Sequence, residues 1–219
     1  SCGGTTPPTT TVISPRPSLF SAPRSSGTSV RWPAASEDAA HITVPPTHST
    51  SVAGFLVEER DFGPVRMNAG LRLETVKRRP VGHPKRDFDL ASYSVGGMFE
   101  VAKGYSAGVT LSVAQRAPSA EELYSEGPHH ATETFDIGNA DFTKETSHNI
   151  ELSLQKTTGL VRWKANLFEN KVKDFVFGHI TGNVVEADGE ELRERIFEQA
   201  DASIHGAEAE IGYNQHGQG

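Results

Sequence analysis

From about residue 50 onward, apolar and polar side chains alternate along the chain with a period of two. In "VRMNAGLRLETV", Val65, Met67, Ala69, Leu71 and Leu73 stand at odd positions and Arg66, Asn68, Gly70, Arg72 and Glu74 at even ones. A β-strand turns successive side chains to opposite faces, so this pattern predicts strands with one oily and one wet side. The alternation recurs in Ala91 to Val101, Tyr105 to Val113, His148 to Leu154, Val161 to Leu167 and Ser203 to Tyr213, and more loosely in Ser51 to Glu59. About seven antiparallel strands are expected.

A period of two also fits a soluble β-sandwich, whose strands have one wet face. The connections separate the two readings. Tight turns are expected at Asp61 to Pro64, at Lys103 and Gly104, and at Thr157 to Gly159. Between them fall long loops: Lys77 to Leu90, a stretch beginning at Arg116, and about Asp174 to Ala202. Short turns at one end and long loops at the other are the habit of outer-membrane barrels, with turns in the periplasm and loops outside. The polar faces carry Arg66, Arg72, Glu74, Glu100, Glu151, Arg162, Lys164, Glu208 and Glu210, charges that a wet bore tolerates and lipid does not. The fold class expected is therefore all-β, a partial antiparallel transmembrane β-barrel. Tyr93, Tyr105 and Tyr213 at strand ends suit interfacial girdles.

Composition narrows the picture. No apolar run reaches the length of a transmembrane helix, so any membrane crossing must be made by strands. The single cysteine, Cys2, excludes an internal disulfide framework and a thiolate zinc ribbon. A net charge of -7 argues against a nucleic-acid partner and suits a face that gathers cations. No GxSxG nucleophile elbow or GxxxxGKS phosphate loop is present, and no enzymatic activity is expected. Residues 1–41 differ in texture: Ser1 to Ser36 is rich in Ser, Thr, Pro and Gly, with three arginines and no acid. This segment is expected to be disordered, a flexible linker or an out-of-frame stretch, with residues 42–219 forming the barrel part.

The stretch "QRAPSAEELY", Gln115 to Tyr124, resembles the "FRAPS…ELY" box of TonB-dependent outer-membrane receptors. "NADFTKETSHNIELSL", Asn139 to Leu154, is similar to that family's "NPxLKPE" box and the strand after it. "VPPTHSTSVAGF" and "IHGAEAEIGY" resemble an upstream and a downstream strand, so the likeness runs from about Ile42 to Tyr213. Three positions depart from the pattern: Gln115 replaces Phe, Ala140 replaces Pro, and His48 replaces Arg. The resemblance implies the outer membrane of a Gram-negative bacterium, contact with lipid, and coupling to the TonB inner-membrane complex through a plug. Such transporters have about 22 strands around a plugged lumen. Seven strands with no plug are expected to be a fragment that does not transport alone.

Within the family, "EGPHHATETFDIGN" looks closest to zinc-uptake receptors, whose similar loop reads "GxHxAT"; haem receptors carry a histidine between the same boxes. The cargo implied is zinc, with haem the alternative, and no resident cofactor is implied. His129 matches the motif's histidine. With the tight turns placed in the periplasm, His83, His129, His130 and His179 fall in outer loops, and His48, His148 and His205 near outer strand ends. The metal-ligand candidates are His129, His130, His83 and Glu133. Neutral imidazole with carboxylates suits zinc where thiolates are missing, although adjacent side chains on an extended segment point apart. Glu121 and Glu122 are expected to cap a short loop helix after Ser119.

Overall fold

The computed structural model describes residues 43–187 and 189–213. The segment expected to be disordered lies outside the described residues, as do His41 and His216. Nine strands form one sheet: β1 (Thr47–Phe62), β2 (Val65–Pro80), β3 (Arg86–Ala102), β4 (Tyr105–Arg116), β5 (Glu126–His129), β6 (Thr134–Ile137), β7 (Glu145–Lys156), β8 (Val161–Ala187) and β9 (Glu190–Tyr213). A short helix, α1 (Ala120–Tyr124), lies between β4 and β5. The sheet order is β1-β2-β3-β4-β7-β8-β9-β6-β5. The seven long strands are those the alternation predicts. β5 and β6 are additions within the loop that follows β4.

Each expected tight turn is present. At the β3–β4 turn Gly104 has φ +78°, a left-handed conformation that costs glycine little. A Cβ there would also strike the side chain of Thr158 in the neighbouring turn, so two constraints select glycine.

Two expected long loops are instead mostly strand. β2 runs to Pro80 and β3 begins at Arg86, which leaves a five-residue connection, and residues 174–202 form a projecting hairpin of β8 on β9. Bulges break the β8–β9 register between Val172 and Phe175 and between Ile180 and Val184. Each bulge resets which side chains face which way, so a fixed two-residue period misses the projecting hairpin.

The register sorts the two faces. Met67, Gly97, Val109, Leu152, Leu167 and Ala207 lie side by side in one outward row. Leu152 and Leu167 are 49% and 57% exposed, and among the described residues no second sheet covers the outward row. The sandwich alternative requires these faces to meet, and they do not. Arg66, Arg72, Glu151, Lys164, Glu208 and Glu210 take the opposite face. At the turn end Tyr105 and Trp163 meet edge to face, 6.4 Å between ring centres, at the level of an interfacial girdle.

The buried core sits on the inner face at the loop end. Val76 of β2 and Phe88 and Leu90 of β3 occupy positions that carry polar residues further down the same strands. There they pack with Ala117, Leu123, Tyr124, Phe142 and Val176. The apolar residues that break the inner face's polarity are thus the seat of the loop after β4.

Candidate functional site: the outer loop layer

The loop from residue 117 to 144 is fixed at its root by Arg116. Arg116 Nε and Nη2 donate to Glu145 at 2.7 and 2.6 Å, and Nη1 and Nη2 donate to Glu122 at 3.0 and 2.9 Å. One guanidinium therefore forks onto two carboxylates, a geometry lysine cannot reproduce. Glu122 in turn accepts from the Ser119 N–H while the Ser119 hydroxyl accepts from the Glu122 N–H, a complete capping box. The expected capping of α1 is present, with Glu122 as the capping acid. Glu145 also accepts the Val176 N–H of the projecting hairpin at 2.7 Å. Burial pushes the Glu145 carboxyl up, but the Arg116 and Val176 hydrogen bonds and the Arg116 charge outweigh it and hold it below the usual carboxylate range.

The second half of the loop hangs from Arg86. Its guanidinium donates to the carbonyls of Ala140 and, at 2.7 Å, Phe142. Ala140, the residue standing where the motif has proline, is held by this contact. Gln115, in place of the motif's phenylalanine, accepts from the Ala91 N–H at 2.9 Å and from Lys144 Nζ at 3.0 Å.

The histidine-bearing tip is the β5–β6 hairpin. β6 pairs in parallel with β9 through Thr134 to Ile137 against Arg193 to Ile196, the one parallel ladder among the described strands. Asp136 is fully buried in this ladder and takes a two-pronged hydrogen bond from Arg195, Nε to Oδ1 at 2.9 Å and Nη2 to Oδ2. Arg195 also lies 5.2 Å above the Phe197 ring.

A chain of hydrogen bonds leads from Asp136 to His129. The Thr134 hydroxyl donates to Asp136 Oδ1 at 2.7 Å, the Thr132 and Thr134 hydroxyls are 2.7 Å apart, and His129 Nδ1 is 2.7 Å from Thr132 Oγ1. A hydroxyl has one proton to give. Because Thr134 gives its proton to the carboxylate, the Thr132 hydroxyl donates to Thr134 or, at 3.3 Å, to the His129 carbonyl, and in either case accepts from His129 Nδ1. The neutral imidazole therefore carries its proton on Nδ1 and presents its lone pair on Nε2. Thr134 and Asp136 alternate within β6 and so share one side of the strand, whereas Thr132 stands in the preceding turn and is brought into line by Glu133 at φ +52°.

The remaining candidates lie apart. His130 is exposed and its Nδ1 is 3.7 Å from Glu190, at the start of β9. Glu133 is exposed, has φ +52°, and accepts the Arg193 N–H through its main-chain carbonyl. His83, in the β2–β3 connection, packs on the Tyr124 ring at 5.9 Å between centres. Among the described residues, no group of three or more His, Cys, Asp or Glu converges closely enough to hold a metal ion. His179 stands on β8 opposite Ile196, 3.1 Å from Glu198, within the projecting hairpin rather than a loop.

The TonB-dependent receptor-like β-barrel family model matches residues 16–217, and the chain belongs to that family, one of outer-membrane receptors rather than enzymes. Solved structures give the same fold. The Serratia marcescens hemophore receptor HasR, solved with its hemophore HasA and heme, aligns with TM-score 0.61 and 14% identity over 78% of this chain and 33% of its own. The copper transporter OprC aligns with TM-score 0.59 and 20% identity over 78% and 26%, and the FrpB iron transporter from Neisseria meningitidis with 0.56 and 16% over 78% and 24%. The chain thus spans about a quarter to a third of the length of these receptors. Their names carry heme, copper and iron; at this identity they show the barrel fold alone, and none bears out the expected closeness to zinc receptors.

Proposed function

We propose that this chain supplies the outer loop layer and adjoining barrel wall of a receptor that takes up zinc across the outer membrane. In this reading His129 is the first ligand to the ion. The observation that carries it is the relay from buried Asp136 through Thr134 and Thr132, which orients the ring and leaves Nε2 as a donor. Zinc commonly takes imidazole and carboxylate ligands in a four-coordinate set. His130 and Glu133 on the same tip, Glu190 at the start of β9, and His83 from the β2–β3 connection are the further donors proposed. Because these groups lie apart, binding one ion through several of them requires the tip to draw together around the metal. Uptake would then depend on a plug and on the TonB complex, partners proposed from family membership.

Titration of detergent-solubilised protein with zinc tests this. His129→Ala should weaken binding by at least about 10-fold, and Thr134→Val by about 10-fold through loss of ring orientation. Unchanged affinity in His129→Ala would remove the site. A haem titration runs beside it: a histidine-dependent Soret shift without zinc binding would transfer the cargo assignment to haem.

A further inference from the structure

The outward face gives up its apolar character over two rows. One row beyond the apolar row through Leu152 and Leu167, β8 and β9 carry Glu169 and His205 beside Ile150, and in the next row Tyr93, Val113, His148 and Lys171 stand side by side. Lys173 follows on the same side of β8, opposite Thr146. A tilted strand crosses the hydrocarbon in roughly 9–11 residues. β8, entering near Val161, therefore leaves the hydrocarbon near Lys171, and Lys171 and Lys173 stand at the outer headgroup level. Tyr93 in the same row is a residue type favoured there.

A groove of about 430 Å³ opens on this outward face. Its floor is apolar, formed by Val95, Leu111, Val113 and Ile150, and its outer rim is formed by His148 and Lys171. Glu169 lies at the side, 3.3 Å from Lys171 Nζ, with both side chains largely exposed. Such an exposed pair holds its partners weakly and leaves the ammonium available to a stronger anion. With Lys173, two ammonium groups stand against the single carboxylate, and His148 adds a ring nitrogen able to hydrogen-bond. An apolar floor that runs along the strands and ends in cationic donors at headgroup height matches an amphiphile with an anionic head.

We infer that this groove holds one phosphorylated lipid of the outer leaflet, its acyl chain on Val95, Leu111 and Ile150 and its headgroup phosphate between Lys171, Lys173 and His148. A free phosphate would use the rim alone and a neutral lipid the floor alone; this site uses both. The site faces lipid, on the opposite side of the sheet from the loop core, and is independent of the cargo.

The test is native mass spectrometry of the detergent-solubilised protein with diphosphoryl lipid A, its dephosphorylated form, and inorganic phosphate. One diphosphoryl lipid A per chain is expected, retained at least tenfold better than the dephosphorylated form, with no saturable binding of inorganic phosphate. Lys171→Gln with Lys173→Gln should abolish that preference. Leu111→Trp, which fills the floor and keeps every charge, should weaken retention at least tenfold. Equal retention of the two lipids by the wild type, or unchanged retention in Leu111→Trp, would overturn the proposal. Saturable inorganic phosphate binding would replace it with a simple anion site. Should the double lysine variant not fold, the wild-type comparison and Leu111→Trp still decide.

Discussion

Arg116 and Glu145 are opposite one another in the β4–β7 ladder and bind each other again through their side chains, at 2.6 Å. One is the arginine of the "RAPS" box and the other the closing glutamate of the "FTKE" box. Two motifs separated by a loop are therefore the two halves of one junction, and their first duty is to fix the loop's root. Glu145→Ala should destabilise the protein by about 2–3 kcal/mol, between the values for exposed and fully buried pairs, because Arg116 is half exposed. Thermal unfolding of the detergent-solubilised protein measures it, and Arg116→Lys should recover little.

The same junction sets a pH dependence. The folded Glu145 carboxyl titrates below its ordinary value, so its contribution is complete above that ordinary value and is lost as pH falls through the lowered one. Stability should decline as pH falls below about 4.5, and Glu145→Gln should flatten that decline. Unfolding midpoints at neutral and acid pH, compared between the two proteins, give the answer.

Gly138 is a spatial constraint rather than a conformational one. A Cβ there would come within 2.8 Å of the Tyr124 and Ser125 nitrogens and 2.9 Å of the Glu122 carbonyl, all backbone atoms that cannot step aside singly. Gly138→Ala should force α1 and β6 apart and cost about 1–3 kcal/mol, as overpacking does. Limited proteolysis should then cut between residues 125 and 140 faster than in the wild type.

Asp136→Ala removes the nearer of two carboxylates on the Arg195 guanidinium, leaving Glu121 at 3.6 Å, and also removes the acceptor of the Thr134 hydroxyl. A loss of about 2–4 kcal/mol is expected, below that of a fully buried pair because Arg195 is partly exposed and keeps Glu121. Hydrogen exchange should rise in residues 134–137 and 193–196 together, since each is the other's ladder partner.

On the lipid face, Leu152→Arg should cost about 2–4 kcal/mol near mid-bilayer. Glu151→Gln, one residue away on the inner face, should cost much less. Unfolding in lipid vesicles compares them; equal effects would mean that the faces are wrongly assigned.

The long strands were legible because lipid on one side and water on the other enforce an unbroken alternation from Val65 to Leu73 and from His148 to Leu154. The projecting hairpin was not, because its two bulges shift the phase of the pattern. In the loop, Ser119 and Glu122 showed a cap from local spacing alone. The link between Asp136 and Arg195 did not show itself, because nothing near either residue indicates the other. His129 was visible as a residue type, whereas its tautomer needed three hydroxyl and carboxyl neighbours to be placed in space.

The parallel pairing of β6 with β9 joins residues 59 positions apart, such as Asp136 and Arg195. Contacts of such separation form only after the intervening chain has found its place. The tip that carries His129 therefore settles only once β7, β8 and the start of β9 are laid down, so the loop end of the molecule is the last to mature. An assembly intermediate stalled before β9 would have its wall in the bilayer but no ordered mouth.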